Sequence, residues 1–152
     1  MRFEDALEQN GYITYTNVGV SMMPLLREHR DIMVIQKRGA ERLRRLDAVL
    51  FVRPGVEGRG HYVLHRILKV CDRGYWIVGD NCIGGECVRE ENVIGVLTSV
   101  IRDGKEVDFR GAGYRLYLKC WCAPYRMRFA VLRAKGFLRR CGSFAKRKLK
   151  KK

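Results

Sequence analysis

Ser21 lies in Val18-Gly19-Val20-Ser21-Met22-Met23-Pro24, and His65-Arg66-Ile67 and Gly79-Asp80-Asn81 follow it in order. Together they hold a hydroxyl, an imidazole and a carboxylate. A serine hydroxyl is a weak nucleophile until an adjacent base accepts its proton. Neutral imidazole titrates near working pH, so it can take that proton and return it to a leaving amine. A carboxylate on the other ring nitrogen fixes the tautomer and stabilises the imidazolium. Asp80 comes fifteen residues after His65, one hairpin away in a β-rich chain, so contact is within reach. His61 competes for the base role, because positions 61, 63 and 65 of a strand share a face. His29, in the polar turn Arg27-Glu28-His29-Arg30, reads as solvated. An oxyanion would sit on the Ser21 backbone N–H, with Gly19, which permits close approach of a substrate backbone, and nearby Val20 and Met22 as the substrate- and oxyanion-side residues.

This ordered trio resembles the signal peptidase I clan, whose relatives include autoproteolytic repressor-type peptidases. The likeness runs from about Gly11 to Ile101. It includes Pro24-Leu25-Leu26, Asp31 before Ile32-Met33-Val34-Ile35, and Asp47 before Ala48-Val49-Leu50-Phe51-Val52. The family usually writes Gly-Asp at both Asp positions, where this chain has Arg30-Asp31 and Leu46-Asp47. Bacterial membrane forms use lysine as base, whereas archaeal and endoplasmic-reticulum forms use histidine. His65, in Tyr62-Val63-Leu64-His65-Arg66, matches the histidine type, and among the histidines only His65 is followed by the matching Arg-Ile.

The resemblance implies a serine endopeptidase with Ser21 as nucleophile, His65 as base and Asp80 as assisting acid. A second acidic residue commonly follows a few places on in the family, and Glu86 is the one available here. The implied fold is mainly β, of the complex signal-peptidase type. A peptide or preprotein would lie in it as an added strand and present a small residue to a shallow pocket. No cofactor or metal is implied. Two other readings stay open: soluble processing of a dedicated peptide, and a catalytically idle binding module whose cationic end holds nucleic acid. No helix-turn-helix precedes the core, so self-cleaving repressor activity is not expected.

Positioning the trio calls for strands joined by tight turns. Residues 3–9 suit a short helix with Phe3, Ala6 and Leu7 on one face and Gly11 as its stop. Residues 12–20 read as an extended lead into Ser21. Residues 32–36 and 48–52 are strands rich in bulky or β-branched side chains. Between them, residues 39–46 read as a basic turn or short helical piece, and residues 54–60 as a glycine-rich loop. Residues 61–70 and 75–78 form a hairpin about Asp72-Arg73-Gly74. Glu90-Glu91-Asn92 is a turn, residues 93–101 a strand, and Asp103-Gly104 a tight turn into residues 106–109.

A chain of 152 residues is long enough for one domain with an appendage, here divided into residues 1–109 and 110–152. The formal charge of +15 is uneven. Residues 1–109 hold 16 Lys or Arg against 16 Asp or Glu, and residues 110–152 hold 15 Lys or Arg and no acid. A neutral body with a cationic end points to a polyanionic partner: an anionic membrane surface, or less readily nucleic acid, for which no recognition motif is present. From Tyr114 the pattern turns helical, with Trp121, Tyr125, Phe129 and Leu132 in one stripe and Ala130, Ala134, Phe137 and Cys141 in another at an angle to it. Pro124 separates two helices or opens the second. A basic amphipathic helix fits the interfacial class of membrane binder, and the alternative is a helix packed on its own domain. Residues 146–152 are too charged to fold alone.

Cys71, Cys82, Cys87, Cys120, Cys122 and Cys141 follow no zinc spacing. Reduced thiols are therefore expected, with bridging or metal binding by Cys82 and Cys87, around Gly84-Gly85, as the alternative. The longest uncharged run, residues 9–26, carries Asn10, Thr14, Thr16, Asn17, Ser21 and Pro24, too polar to cross a bilayer. Ten residues precede Gly11, so no anchoring helix is expected ahead of Ser21. The reading is a cytoplasmic protein, or one peripheral to the cytoplasmic membrane.

Overall fold

A computed structural model describes residues 2–149 apart from 55–60, with side chains described as far as Leu138. The loop expected at residues 54–60 lies almost wholly outside the described residues. Helix α1 (Phe3–Asn10) buries Ala6 and Leu7, and the Gly11 N–H closes it on the Leu7 carbonyl at 3.0 Å. Eight strands follow: β1 (Tyr12–Thr16), β2 (Asp31–Lys37), β3 (Ala48–Arg53), β4 (His61–Cys71), β5 (Gly74–Val78), β6 (Gly85–Arg89), β7 (Val93–Arg102) and β8 (Lys105–Glu106). They form one antiparallel sheet in the order β1-β2-β7-β3-β4-β5-β6, with β8 on β7. The protein is mainly β with a C-terminal helix, as the strand pattern implied.

Side chains alternate across a strand, and β3 shows what that does here. Ala48 and Leu50 join one apolar cluster with Leu7, Met22, Leu26 and Ile35, while Val49 and Phe51 join a second with Ile67, Tyr75 and Ile77. A strand buried on both faces reads as a continuous apolar run, and Ala48-Val49-Leu50-Phe51 is one. Register shifts between Val34 and Ile35, Leu50 and Phe51, and Ile67 and Lys69 interrupt the ladders. Such bulges bend the strands and increase their twist.

Several boundaries differ from expectation. The lead-in strand ends at Thr16, and residues 17–30 form a loop rather than continuing to Val20. Residues 39–46, by contrast, take the turn alternative, with Arg45 and Leu46 in the turn itself. Strand β6 was not foreseen, because Gly84 precedes it, Gly85 opens it and Val88 is its one buried residue.

The C-terminal part comprises α2 (Ala112–Tyr117), a π-helical turn (Leu118–Cys122) and α3 (Tyr125–Leu149), with Pro124 between the last two. Its first half is built into the body instead of standing apart. Tyr125 and Phe129 meet Trp76 edge-on, with ring centroids at 5.3 and 6.4 Å. Arg45 Nη2 donates to the Ala123 carbonyl at 2.9 Å. The stripe containing Tyr125 and Phe129 thus packs on the chain's own domain. Helix α3 runs to Leu149, so the lysine-rich end, too charged to fold alone, continues a helix already formed. Extending an existing helix needs no new nucleus, so charge at its end is tolerated. No helix among the described residues is long and apolar enough to cross a membrane.

Candidate active site

The Ser21 loop is held at its base by a part-buried ion pair. Asp31 opens β2 fully buried and accepts from Arg102 Nε at 2.9 Å, Arg102 Nη2 at 2.6 Å and the Arg27 N–H at 2.8 Å. Burial alone would raise the Asp31 pKa, but those donors outweigh it and hold the carboxyl below its ordinary range. Arg102 Nη2 also donates to the Leu25 carbonyl at 2.7 Å, and Met22, Leu25 and Leu26 are buried beneath the loop. Gly19 turns the chain with φ of +100°, a conformation that a side chain would strain. Its N–H reaches Glu28 Oε1 at 2.9 Å, and its carbonyl accepts from Asn17 Nδ2 at 3.0 Å. Ser21 follows, half-buried, and among the described residues its N–H has no backbone partner. That donor is free for an oxyanion.

His65 projects from β4, paired in register with Val49. Its ring lies 6.1 Å from that of Phe51, and the side chain is only 12 % exposed. Burial lowers its pKa and the Arg53 cation adds to this, against Glu86 and Asp80, so the ring is neutral at pH 7. Nδ1 stands 4.0 Å from Glu86 Oε1. Glu86, on β6, is itself held by Arg53, with Nε to Oε2 at 2.9 Å.

The two halves meet over Gly79. A Cβ placed there would come within 2.7 Å of the Ser21 carbonyl oxygen and 3.0 Å of His65 Nε2. Only a residue without a side chain lets them approach from both sides. Asn81 fixes the join: its N–H donates to the Ser21 carbonyl at 2.8 Å and its Nδ2 to the Val20 carbonyl at 3.1 Å. Among the described residues Ser21 Oγ makes no hydrogen bond to His65, a gap that substrate-free sites commonly close when substrate binds. Gly79→Ala is expected to push this junction apart, with a loss of about 1–3 kcal/mol of stability and of any Ser21 reactivity. Thermal unfolding and active-site labelling measure the two effects.

The expectation for Asp80 needs correcting. Its carboxylate is fully buried and accepts from Arg66 Nε at 2.9 Å, Arg66 Nη2 at 2.7 Å and the Tyr117 hydroxyl at 2.7 Å. Arg128 Nη1 lies 3.5 Å away, and Trp121 Nε1 donates to the Asp80 carbonyl at 3.1 Å. Successive strand residues point to opposite faces, so the neighbours His65 and Arg66 diverge, and Asp80 goes with Arg66. The acid beside His65 Nδ1 is Glu86. Asp80 instead joins the C-terminal helices to the site loop. Burial and the Asp80 charge push the Tyr117 hydroxyl far above its usual range and the Cys122 thiol up to about 11, so both stay protonated there.

Ser21 and His65 open onto a cleft of about 560 Å³ walled by Tyr15, Met33, Ile35, Leu50 and Tyr62. Phe3 stacks on Tyr62 at 4.4 Å and closes one side. His61 is exposed on the same wall, but four residues along a strand is roughly 13 Å, so it stands well away from His65. His29 is exposed, with Nε2 3.9 Å from Glu28 Oε1. Cys82 and Cys87 are both free thiols, and among the described residues no three His, Cys, Asp or Glu side chains gather as metal ligands.

Sequence reasoning named Asn81 and Arg66 only as motif letters and missed Arg53 and Arg128. The strand alternation of His65 and Arg66 was a signal for Arg66. None existed for Arg128, which reaches the site from the C-terminal helix. Comparison with family models, with curated proteins and with solved structures finds no match.

Proposed function

We propose that this chain is a serine endopeptidase of the signal-peptidase type. What supports the reading most is that Ser21 and the largely buried His65 line one cleft, with the Ser21 backbone carbonyl and His65 Nε2 both close about Gly79. In this proposal a peptide lies extended beside β1, the edge strand of the sheet, and pairs through its main chain. Ser21 Oγ attacks the scissile carbonyl carbon as His65 Nε2 takes the hydroxyl proton. The Ser21 N–H holds the oxyanion. The carbon–nitrogen bond then breaks, and the imidazolium returns its proton to the leaving amine. Water, deprotonated in turn by His65, releases the acyl group from Ser21. Glu86 orients the imidazole through Nδ1, and Arg53 holds Glu86. The preference for a small residue at the cut comes from the resemblance.

The test is cleavage of a mixed peptide library by the purified chain, read by mass spectrometry across pH. Because burial lowers the His65 pKa, the acid limb of kcat/KM is expected below about 6.5. The sign for stability is the same. An unfolded histidine binds its proton at higher pH than the folded one, so the fold loses stability as pH falls through that window. Cleavage with a single limb above about pH 8.5 would indicate a lysine base and contradict the assignment.

A further inference from the structure

Helix α3 carries a second apolar stripe that nothing in the protein covers among the described residues. Tyr125, Arg128, Phe129 and Leu132 face the body, whereas Met127, Val131 and Ala134 lie on the opposite side. Exposed Leu138 continues their spacing of four, three and four at the rim of the groove beside Cys82 and Ile83. Met127 is 70 % exposed and Leu138 67 %. Helical periodicity puts Arg126 and Arg133 along one margin and Lys135 along the other. We infer that this face of α3 docks flat on an anionic lipid surface, with the apolar stripe entering the acyl boundary and the flanking cations on the headgroups.

Charge selects this occupant. With 15 Lys or Arg and no acid in residues 110–152, a second copy of the helix is repelled, although the spacing alone would suit a helix pair. Nucleic acid would engage the cations and leave the apolar stripe in water. A bilayer interface uses both. The docking also has a rigid mount, because Arg128 Nη2 lies 3.5 Å from the Gly79 carbonyl and Nη1 3.5 Å from Asp80 Oδ1. Binding at the outer face therefore leaves the inner contacts in place. The inference is independent of the peptidase reading.

Sedimentation of the full chain with vesicles tests it. Vesicles of phosphatidylcholine with about a third phosphatidylglycerol are expected to bind it, and pure phosphatidylcholine to bind at least roughly tenfold more weakly, with partial release in high salt. The variant Met127→Asn/Val131→Asn/Leu138→Asn removes only exposed apolar groups and is expected to lose at least roughly tenfold in affinity for the anionic vesicles. Arg126→Glu/Arg133→Glu is expected to lose a similar factor. Unchanged binding by the triple variant would overturn the inference. So would equal binding to neutral vesicles, retention on oligonucleotides with none on vesicles, or a dimer that forms without lipid.

Discussion

Ser21→Ala is expected to lower peptide cleavage by roughly 10⁶-fold while leaving the fold intact, and His65→Ala to do the same. The two losses should not add, because nucleophile and base act as one unit. The hydroxyl is half-buried in a loop secured by other groups: Asp31 with Arg102, Asn81 with the Val20 and Ser21 carbonyls, and buried Met22. Losing it should change stability by no more than about 0.5 kcal/mol. Thermal unfolding of the variant separates a chemical loss from a structural one. Cleavage by Ser21→Ala at the wild-type rate would end the serine-peptidase reading.

The largest expected stability effect belongs to Asp80→Asn. Asp80 is the counter-charge for Arg66 and Arg128, both essentially without solvent, and among the described residues Arg128 Nε already lacks a partner. Breaking a buried pair by removing one charge typically costs about 3–5 kcal/mol, because the remaining ion is left without compensation. Denaturant unfolding should show that loss, with the aromatic contact of Tyr125 and Phe129 on Trp76 weakened alongside it. Glu86→Gln is expected to do the opposite. It should slow cleavage by disorienting His65 and shift stability by only about 0.5 kcal/mol, since Glu86 and its partner Arg53 are both partly in solvent. If Asp80 orients His65, the pattern reverses: Asp80→Asn keeps the fold and loses rate.

The contrast between these two acids shows how far the sequence reaches. Ser21 and His65 were legible as candidates lining one cleft because each sits in a short motif local to the turn or strand carrying it. The choice between Asp80 and Glu86 was not. It depends on which face of β4 each acid meets, and on β6, a strand whose opening glycine and single buried valine hide it from period-two patterning. Alternation at His65-Arg66 carried half the answer, since a carboxylate paired with one neighbour is turned from the other. The C-terminal helices were legible as helices with Pro124 between them. Their stripe at Tyr125 and Phe129 gave no sign of whether it meets protein or lipid, since burial against either selects the same residues. Trp76, contributed by a strand far away in sequence, meets the stripe and assigns it to the body, together with the contacts of Arg128 to Asp80 and Gly79. Removing residues from Arg110 onward would accordingly strip Asp80 of Tyr117 and Arg128, and is not a neutral truncation.

Covalent labelling of the native chain with a fluorophosphonate probe, followed by mass mapping of the adduct, reads the central assignment without knowledge of the substrate. A single adduct on Ser21 is expected. It should form readily at pH 7, fall away as His65 is protonated below about pH 6.5, and be lost in His65→Ala. An adduct on another residue, or labelling of Ser21 in His65→Ala at the wild-type rate, would contradict it.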